Sequence, residues 1–444
     1  MTQEELNHNS PATGDSDPTT VGGYFVANYP PFEAWSADHN TPAQARLDGD
    51  SGPDVPLGIY VHIPFCRKRC DFCSYRVYTD KDSENIRRYL AAVITELRML
   101  AERPLVRGRL PSFIFFGGGT PSYLSVAQIE SLFEEMQACL PWDQAEEVSF
   151  ECEPGTLQEK KIEALSRLGV TRLSLGIENF DPEILEINNR AHRTKEIDAA
   201  YNCAQRVGFP QINIDLIAGM VGETDENWRD CIARTKELDP DSVTIYQMEI
   251  PHNSTIYRQM REGGEVIAPV AEWPAKRRWV NEAFCALEDE GYTVDSAYTA
   301  TRSAQAKFLY RDELWQGADM LGVGVSSFSY LNGAHLQNDD RFESYIERVE
   351  GGELPTQRAW VLSEDEKLIR EFVLQIKLGE TSISYFQEKF GVDPRERFAK
   401  PLAQHQQDGY LSMNGDKIRI HREGLLQIDR LLRAFFLESH RTST

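Results

Sequence analysis

From Gly58 onward the chain repeats one unit: a short apolar run rich in β-branched or aromatic residues, then a longer segment with apolar residues at helical spacing. The runs at 58–63, 113–116, 148–150, 173–175, 212–217 and 243–246 read as buried strands. Between them, Ile86, Leu90, Val93, Leu97 and Leu100 share one helical face that Asp82 or Ser83 begins. Ile129, Leu132, Phe133 and Met136 share another. Further helices are predicted up to about Leu168, near 195–207 and 225–238, and over 274–290, with a last strand around 292–298. Strands that alternate with helices pair in parallel and carry the helices outside. About six units fall short of the eight of a closed barrel.

The first strand ends at Pro64, and three cysteines follow in one loop: Cys66, Cys70 and Cys73, at spacings of four and three. Such a loop can supply thiolates to three corners of a [4Fe–4S] cluster, which ordinarily takes four. The next cysteine is Cys139, so one iron would stay open to chelate a small molecule. The competing reading is zinc, which prefers paired C-x-x-C knuckles and a fourth Cys or His. His62 is the nearby candidate, but it falls within the strand.

The C-x-x-x-C-x-x-C spacing after a strand resembles the signature of the radical S-adenosylmethionine (SAM) superfamily. The phrase Tyr60-Val61-His62-Ile63-Pro64-Phe65-Cys66 is similar to its coproporphyrinogen-oxidase-like branch. That branch includes oxygen-independent coproporphyrinogen III oxidases, haem chaperones, and class C radical SAM methyltransferases and cyclopropanases. The resemblance implies an α/β fold with a partial (β/α)6 barrel, and the count of units agrees. It implies a [4Fe–4S] cluster on Cys66, Cys70 and Cys73, reductive cleavage of SAM, and a second SAM molecule. It also implies a one-electron donor such as flavodoxin or ferredoxin and a small-molecule substrate.

Composition narrows the class. Of 444 residues 41 % are hydrophobic, and no apolar run reaches the roughly 18 residues of a membrane span. The N-terminus lacks the apolar core of a secretory signal. Eight cysteines, three of them clustered, fit a reducing cytoplasm with a metallocofactor. Cys139, Cys152, Cys203, Cys231 and Cys285 read as small core residues. A formal charge of −23 argues against nucleic acid and anionic membrane as partners.

Four parts are expected. Residues 1–22 read as a disordered polar tail. Residues 23–57 carry Tyr24, Phe25, Tyr29, Phe32 and Trp35, interleaved with Pro30-Pro31. This segment either packs outside the main domain or, as the resemblance implies, closes over the active site. Residues 58–330 form the barrel. In 331–444, helices at 364–378, 383–390, 401–407 and 425–436 flank a hairpin at 410–420, turning at Asn414-Gly415 in type I′ geometry. That order resembles a winged helix, whose mixed charges favour packing over DNA.

The loops after parallel strands form the active-site face. Gly117-Gly118-Gly119-Thr120-Pro121 follows the second strand, and glycines let a backbone approach a ligand. The resemblance gives this loop, with Gly118, Gly119 and Thr120, to the SAM amino group. It gives Glu151, at the third strand end, and Tyr60 to bound SAM as well. Glu178 stands where the family commonly has Gln. Arg190 offers a fork suited to a carboxylate. Asp215 interrupts an apolar strand and needs a partner, a ribose hydroxyl or Arg190. Phe328, in the stretch 322–328, matches a residue beside the second SAM.

The branch members divide on details. The classical oxidases carry a further cysteine two positions after the third, where this chain has Tyr75. The haem chaperones usually start near their cysteine motif, whereas 57 residues precede Gly58 here. They also follow the Asp215 strand with Pro-Gly-Gln-Thr, against Val221-Gly222-Glu223-Thr224. The first reading is therefore a two-SAM radical enzyme that methylates or cyclopropanates an unsaturated substrate. Coproporphyrinogen III oxidase, with Arg302 and Arg311 as candidate propionate partners, is the alternative. A haem chaperone is the third reading.

Overall fold

The computed structural model describes residues 25–50, 52, 55–261 and 270–441. The tail expected at 1–22 and Tyr24 lie outside them. Six strands run parallel in chain order: β1 (Leu57–Ile63), β2 (Phe113–Gly118), β3 (Glu147–Cys152), β4 (Arg172–Glu178), β5 (Gln211–Ala218) and β6 (Ser242–Gln247). Side chains alternate across each strand. Ile59, Val61, Ile114, Phe116, Val148, Phe150, Leu173 and Leu175 face the helices and are buried in one core. The opposite row faces the barrel interior. There Glu151 stands in register with Ser174, and Ser174 with Asn213.

Helices pack outside, as the apolar spacing requires. The helix Ser83–Ala101 starts at Asp82, whose carboxylate accepts from the Asn85 amide at 2.9 Å, a cap worth about 1 kcal/mol. Its buried face includes Ile86, Leu90, Val93, Leu97 and Leu100.

Beyond β6 the sheet departs from the sequence reading. The single strand expected at 292–298 is a pair, β7 (Thr293–Val294) and β8 (Thr299–Thr301), with β8 antiparallel to β6. On the other edge, β9 (Asp319–Val323) pairs in parallel with β1. A meander of β10 (Phe328–Leu331), β11 (Ala334–Asn338) and β12 (Thr356–Val361) continues it. The barrel sheet therefore passes the boundary expected at 330 and ends at Val361. The cause is a hairpin: Asn332 and Gly333 both have positive φ, 46° and 73°, the requirement of a type I′ turn.

After β12 comes a separate core of helices with a small sheet of β13 (Glu380–Ser382), β14 (Leu411–Asn414) and β15 (Lys417–Ile420). The β14–β15 hairpin is present, but its turn differs from expectation. The loop is Gly415-Asp416, and only Gly415 is left-handed at φ 58°, the pattern of a type II′ turn. The helix expected at 425–436 breaks into Arg422–Leu425, Ile428–Leu432 and a 3-10 turn, because Gln427 leaves the helical region at φ −134°. Cys152, Cys203 and Cys231 are buried, whereas Cys285 is exposed on the helix Trp273–Asp289, on the far side from Leu287. No described helix is long and apolar enough to cross a membrane.

The aromatic N-terminal segment lies between the extended sheet and the C-terminal core. Tyr29 is fully buried, donates to or accepts from His440 Nδ1 at 2.8 Å, and packs on Phe436. Phe32 and Trp35 cover Phe328, with centroids 4.6 and 5.7 Å away.

Candidate active site

Because β1 to β6 are parallel, their carboxyl ends meet at one end of the barrel. The cysteine loop leaves β1 there and is pinned from three sides. The Cys66 amide donates to the Tyr78 carbonyl, and the Tyr78 amide to the Pro64 carbonyl. Asn189, left-handed at φ 61°, donates through its side chain to the Arg69 carbonyl at 2.9 Å. The Asp71 amide reaches the Asn188 carbonyl.

Arg67, next to Cys66, makes a fork to Glu153 at 3.0 and 3.1 Å, and Glu153 also meets the buried His192 at 3.1 Å. Burial alone would raise the Glu153 pKa, but His192 and Arg67 outweigh it and hold the carboxyl at about 2. A Cβ on Gly155 would sit 2.1 Å from the Arg67 guanidinium, so glycine makes room for this brace. None of Arg67, Glu153 and His192 is singled out by the sequence. The signal available was a cation beside the first cysteine and a second carboxylate at the third strand end.

Two sulfurs receive hydrogen bonds. Thr120 Oγ1 donates to Cys66 at 3.3 Å, and Arg190 Nη1 to Cys70 at 3.1 Å. Burial pushes the Cys66 thiol up to about 12 and raises Cys73 as well, so a bound cation is needed to hold thiolates here. Among the described residues no three or more Cys, His, Asp or Glu side chains converge on a single-ion site. A cubane spans its thiolates through its own irons and sulfides. Cys66, Cys70 and Cys73 on one loop, without a fourth cysteine in it, fit such a cluster.

The glycine loop passes tightly over the same place. The Gly119 amide donates to the Ile63 carbonyl at 2.8 Å, and a Cβ there would meet Pro64, Ile63 and Phe65 backbone atoms at 2.9–3.0 Å. Gly118, at φ 109°, lies on the His62 ring and donates to Glu151 Oε2 at 3.0 Å. Tyr60 shares a 3.0 Å hydrogen bond with His62 Nδ1, while His62 Nε2 is buried without a partner among the described residues. Burial lowers the His62 pKa to about 4, so the ring is neutral.

Glu151, Glu178 and Asp215 lie near enough inside the barrel to repel one another electrostatically. Burial, reinforced by Asp215, pushes Glu151 up to about 8, and burial against the pull of Arg190 brings Glu178 to about 7. Asp215 is raised chiefly by burial. Glu178 follows a register shift in β4 and is left-handed at φ 66°, which aims its carboxylate at Arg190, 3.4 Å away. Ser174 and Asn213, rather than Arg190, donate to Asp215, both at 2.9 Å. Arg190 instead joins Cys70, Glu178 and the Gly176 carbonyl. Buried carboxylates with raised pKa values favour a cationic ligand, and SAM carries a sulfonium and an ammonium group. Phe328 stands apart from this group, under Phe32 and Trp35.

Beside the site a cavity of about 710 Å³ opens between the barrel end and the C-terminal core. Phe72 and Tyr75 of the cysteine loop, Tyr246 of β6, and Phe25 of the N-terminal segment line it. Arg277, Arg430 and Arg433 line it too. Arg302 and Arg311 do not: Arg302 pairs with Asp239, and Arg311 is buried on Asp295, Asp312 and Ser296.

Two family models match this chain. Residues 60–234 match the radical SAM superfamily model, and residues 362–426 match the HemN C-terminal domain. Residues 60–234 are thus a radical SAM domain, of the family whose members bind a [4Fe–4S] cluster and SAM. With the second match the chain resembles the HemN-like branch of that superfamily. It is 28 % identical over 401 residues to the oxygen-independent coproporphyrinogen III oxidase of Salmonella typhimurium, covering 86 % of each chain. It is 24 % identical over 383 residues to the heme chaperone HemW of Bacillus subtilis, covering 85 % of this chain and 99 % of that one. The crystal structure of the Escherichia coli coproporphyrinogen III oxidase superposes with a TM-score of 0.80 at 27 % identity, covering 92 % and 96 %. The partial-barrel fold follows from this match.

Proposed function

We propose that this radical SAM enzyme acts as an oxygen-independent coproporphyrinogen III oxidase, converting propionate side chains of a porphyrinogen to vinyl groups with loss of carbon dioxide. The observation that carries the reading is the large cavity beside the cysteine loop, with aromatic and arginine side chains in its wall. Similarity to oxidases over most of both chains supports it. Methylation or cyclopropanation, the first reading of the sequence, gives way: the relatives described above are named for the oxidase or the chaperone.

With cluster and SAM bound, the site gains a hydrogen-abstracting radical, the hard chemistry that cofactors supply. The protein's part is position and charge. Glu151, Glu178 and Asp215 attract the cationic groups of SAM, Gly118 and Gly119 let it approach the backbone, and Arg190 faces its carboxylate. Tyr60 and His62 wall the site, and burial keeps water away from it. Each of two decarboxylations uses one SAM, which sets a stoichiometry of two per porphyrinogen. Flavodoxin or ferredoxin suits the role of electron donor.

The test is anaerobic. Reconstituted protein is given SAM, a reductant and coproporphyrinogen III, and the porphyrinogen is read by mass spectrometry. Two successive losses of carbon dioxide are expected. An unchanged porphyrinogen with 5′-deoxyadenosine still formed removes the reading, and haem retained without turnover turns it to the chaperone.

A further inference from the structure

The inward row of the parallel strands has two characters. On β1 and β2 it is aromatic, with Tyr60 in register beside Phe115. On β3 to β6 it is polar: Ser149, Arg172, Ser174, Asn213, Asp215 and Thr244 fall on that row. A parallel barrel ordinarily fills this space with branched apolar side chains. The neutral members here are paired within the row. Ser242 and Thr244 donate to Asn213 Oδ1 at 2.8 and 3.1 Å, and Asn213 and Ser174 donate to Asp215.

Arg172 breaks the pattern. It is the first residue of β4 and only 2 % exposed, and its Nε has no hydrogen-bond partner among the described residues. Its guanidinium lies over the Phe308 ring, 4.2 Å from the centroid. Arginine suits that place, because its delocalised and weakly hydrated charge stacks on aromatic faces. Phe308 is fixed in turn by Glu147, which accepts from the Leu309 and Tyr310 amides at 2.7 and 3.3 Å. A buried cation in such a seat needs opposite charge within reach. Glu147 supplies part of it, and the carboxylates farther up the barrel supply the rest.

Burial raises the pKa of Asp215, and Arg172 is the largest pull against that rise. At Glu147 it is again the first counterweight to burial, and at Glu151 it acts behind the Gly118 amide. The other groups that face Asp215 do not take its place. Glu151 of β3 and Glu178 at the end of β4 are acidic, and burial keeps Tyr246 of β6 neutral. Arg190 is committed to Cys70, Glu178 and the Gly176 carbonyl. In register Asp215 stands beside Gly176, four residues past Arg172 toward the carboxyl end of β4. We propose that Arg172 is a positioning residue of the SAM site: set behind Asp215, it is the counter-ion that lets the aspartate face SAM as a carboxylate. This rests on the place given to Asp215 in the proposed function, and adds to that site a member that does not touch the ligand.

The experiment dialyses cluster-loaded protein, without reductant, against radiolabelled SAM from about pH 6 to about pH 9. Arg172→Gln should weaken SAM binding about tenfold at pH 7, the worth of one partly screened charge pair. Without the cation Asp215 keeps its proton to higher pH, so the deficit should shrink as pH rises. Arg172→Lys should recover most of the affinity, and in the Asp215→Asn background Arg172→Gln should cost nothing further. A deficit that is equal at every pH, or undiminished in the Asp215→Asn background, overturns the proposal. So does an Arg172→Gln protein that binds SAM as wild type does. If bound iron and Tm show that Arg172→Gln does not fold, the infrared difference spectrum of wild type against Asp215→Asn decides. A carboxylate band from Asp215 at pH 7 is expected, and a protonated carboxyl band overturns the proposal. Decarboxylation of coproporphyrinogen III by wild type is read separately, so the role of Arg172 can fall while the proposed function stands, and the reverse.

Discussion

Arg190 donates to the sulfur of Cys70 at 3.1 Å, and through its other nitrogen to the Gly176 carbonyl at 2.6 Å. One guanidinium therefore ties Cys70, a proposed cluster ligand, to the bulged end of β4. Hydrogen bonds and positive charge at cluster sulfurs raise the reduction potential. Arg190→Gln is expected to make the potential of the reconstituted cluster more negative, read by a redox titration followed by electron paramagnetic resonance. An unchanged potential would separate Arg190 from the cluster.

Replacing Cys66, Cys70 or Cys73 by Ala should each remove bound iron after reconstitution and abolish SAM cleavage. Cys285→Ala, on the exposed face of an outer helix, should change neither. Retained cleavage in any of the three loop variants would defeat the ligand assignment.

Asp215→Ala should weaken SAM binding about tenfold, since one charged hydrogen-bonding partner is lost. Equilibrium dialysis with radiolabelled SAM measures this. Unchanged affinity would leave Asp215 as a structural partner of Ser174 and Asn213.

Glu153 predicts a pH dependence. Its folded pKa of about 2 lies below the ordinary 4.5, so its stabilisation is present above 4.5 and is lost as pH falls toward 2. Glu153→Gln should therefore lower stability by about 1–3 kcal/mol at pH 7, with a gap from wild type that narrows below pH 4.5. Thermal melts of apoprotein across that range check it. A gap independent of pH would sink the ionic brace with Arg67 and His192.

Glu96 is buried behind β9 and accepts from the Gly324 amide at 2.8 Å, Asn338 at 2.5 Å and Tyr345 at 2.6 Å. A glutamine there must turn its NH2 group toward at least one of these donors. Glu96→Gln should cost about 1–3 kcal/mol, read as a lower Tm. A Tm equal to that of wild type would show that residues 322–327 do not depend on this acceptor.

The barrel was legible because β1 to β6 are buried on both faces and separated by helices of regular apolar spacing. The spacing of Cys66, Cys70 and Cys73 is legible because it is local in sequence, and the structure keeps all three on one loop after β1. Pairings across long separations were not. Arg67 and Glu153 lie 86 positions apart, and nothing in either segment names the other. Asp215 announced a partner without identifying Ser174, because the register between β4 and β5 is set only on folding. The β10–β11 hairpin is a different case: Asn332-Gly333 is the same turn signal as Asn414-Gly415, but the runs that flank it are short. Phe328 packs on Phe32 and Trp35, nearly 300 positions away, a contact that its own segment does not announce.

A barrel left two units short of closure borrows its missing wall from residues encoded elsewhere in the chain. Substitutions at 425–433 or near residue 25 reshape that wall from outside the barrel strands. Selection can act on the two halves separately, so one radical-generating apparatus can be fitted to new molecules by exchanging the cover rather than rebuilding the engine.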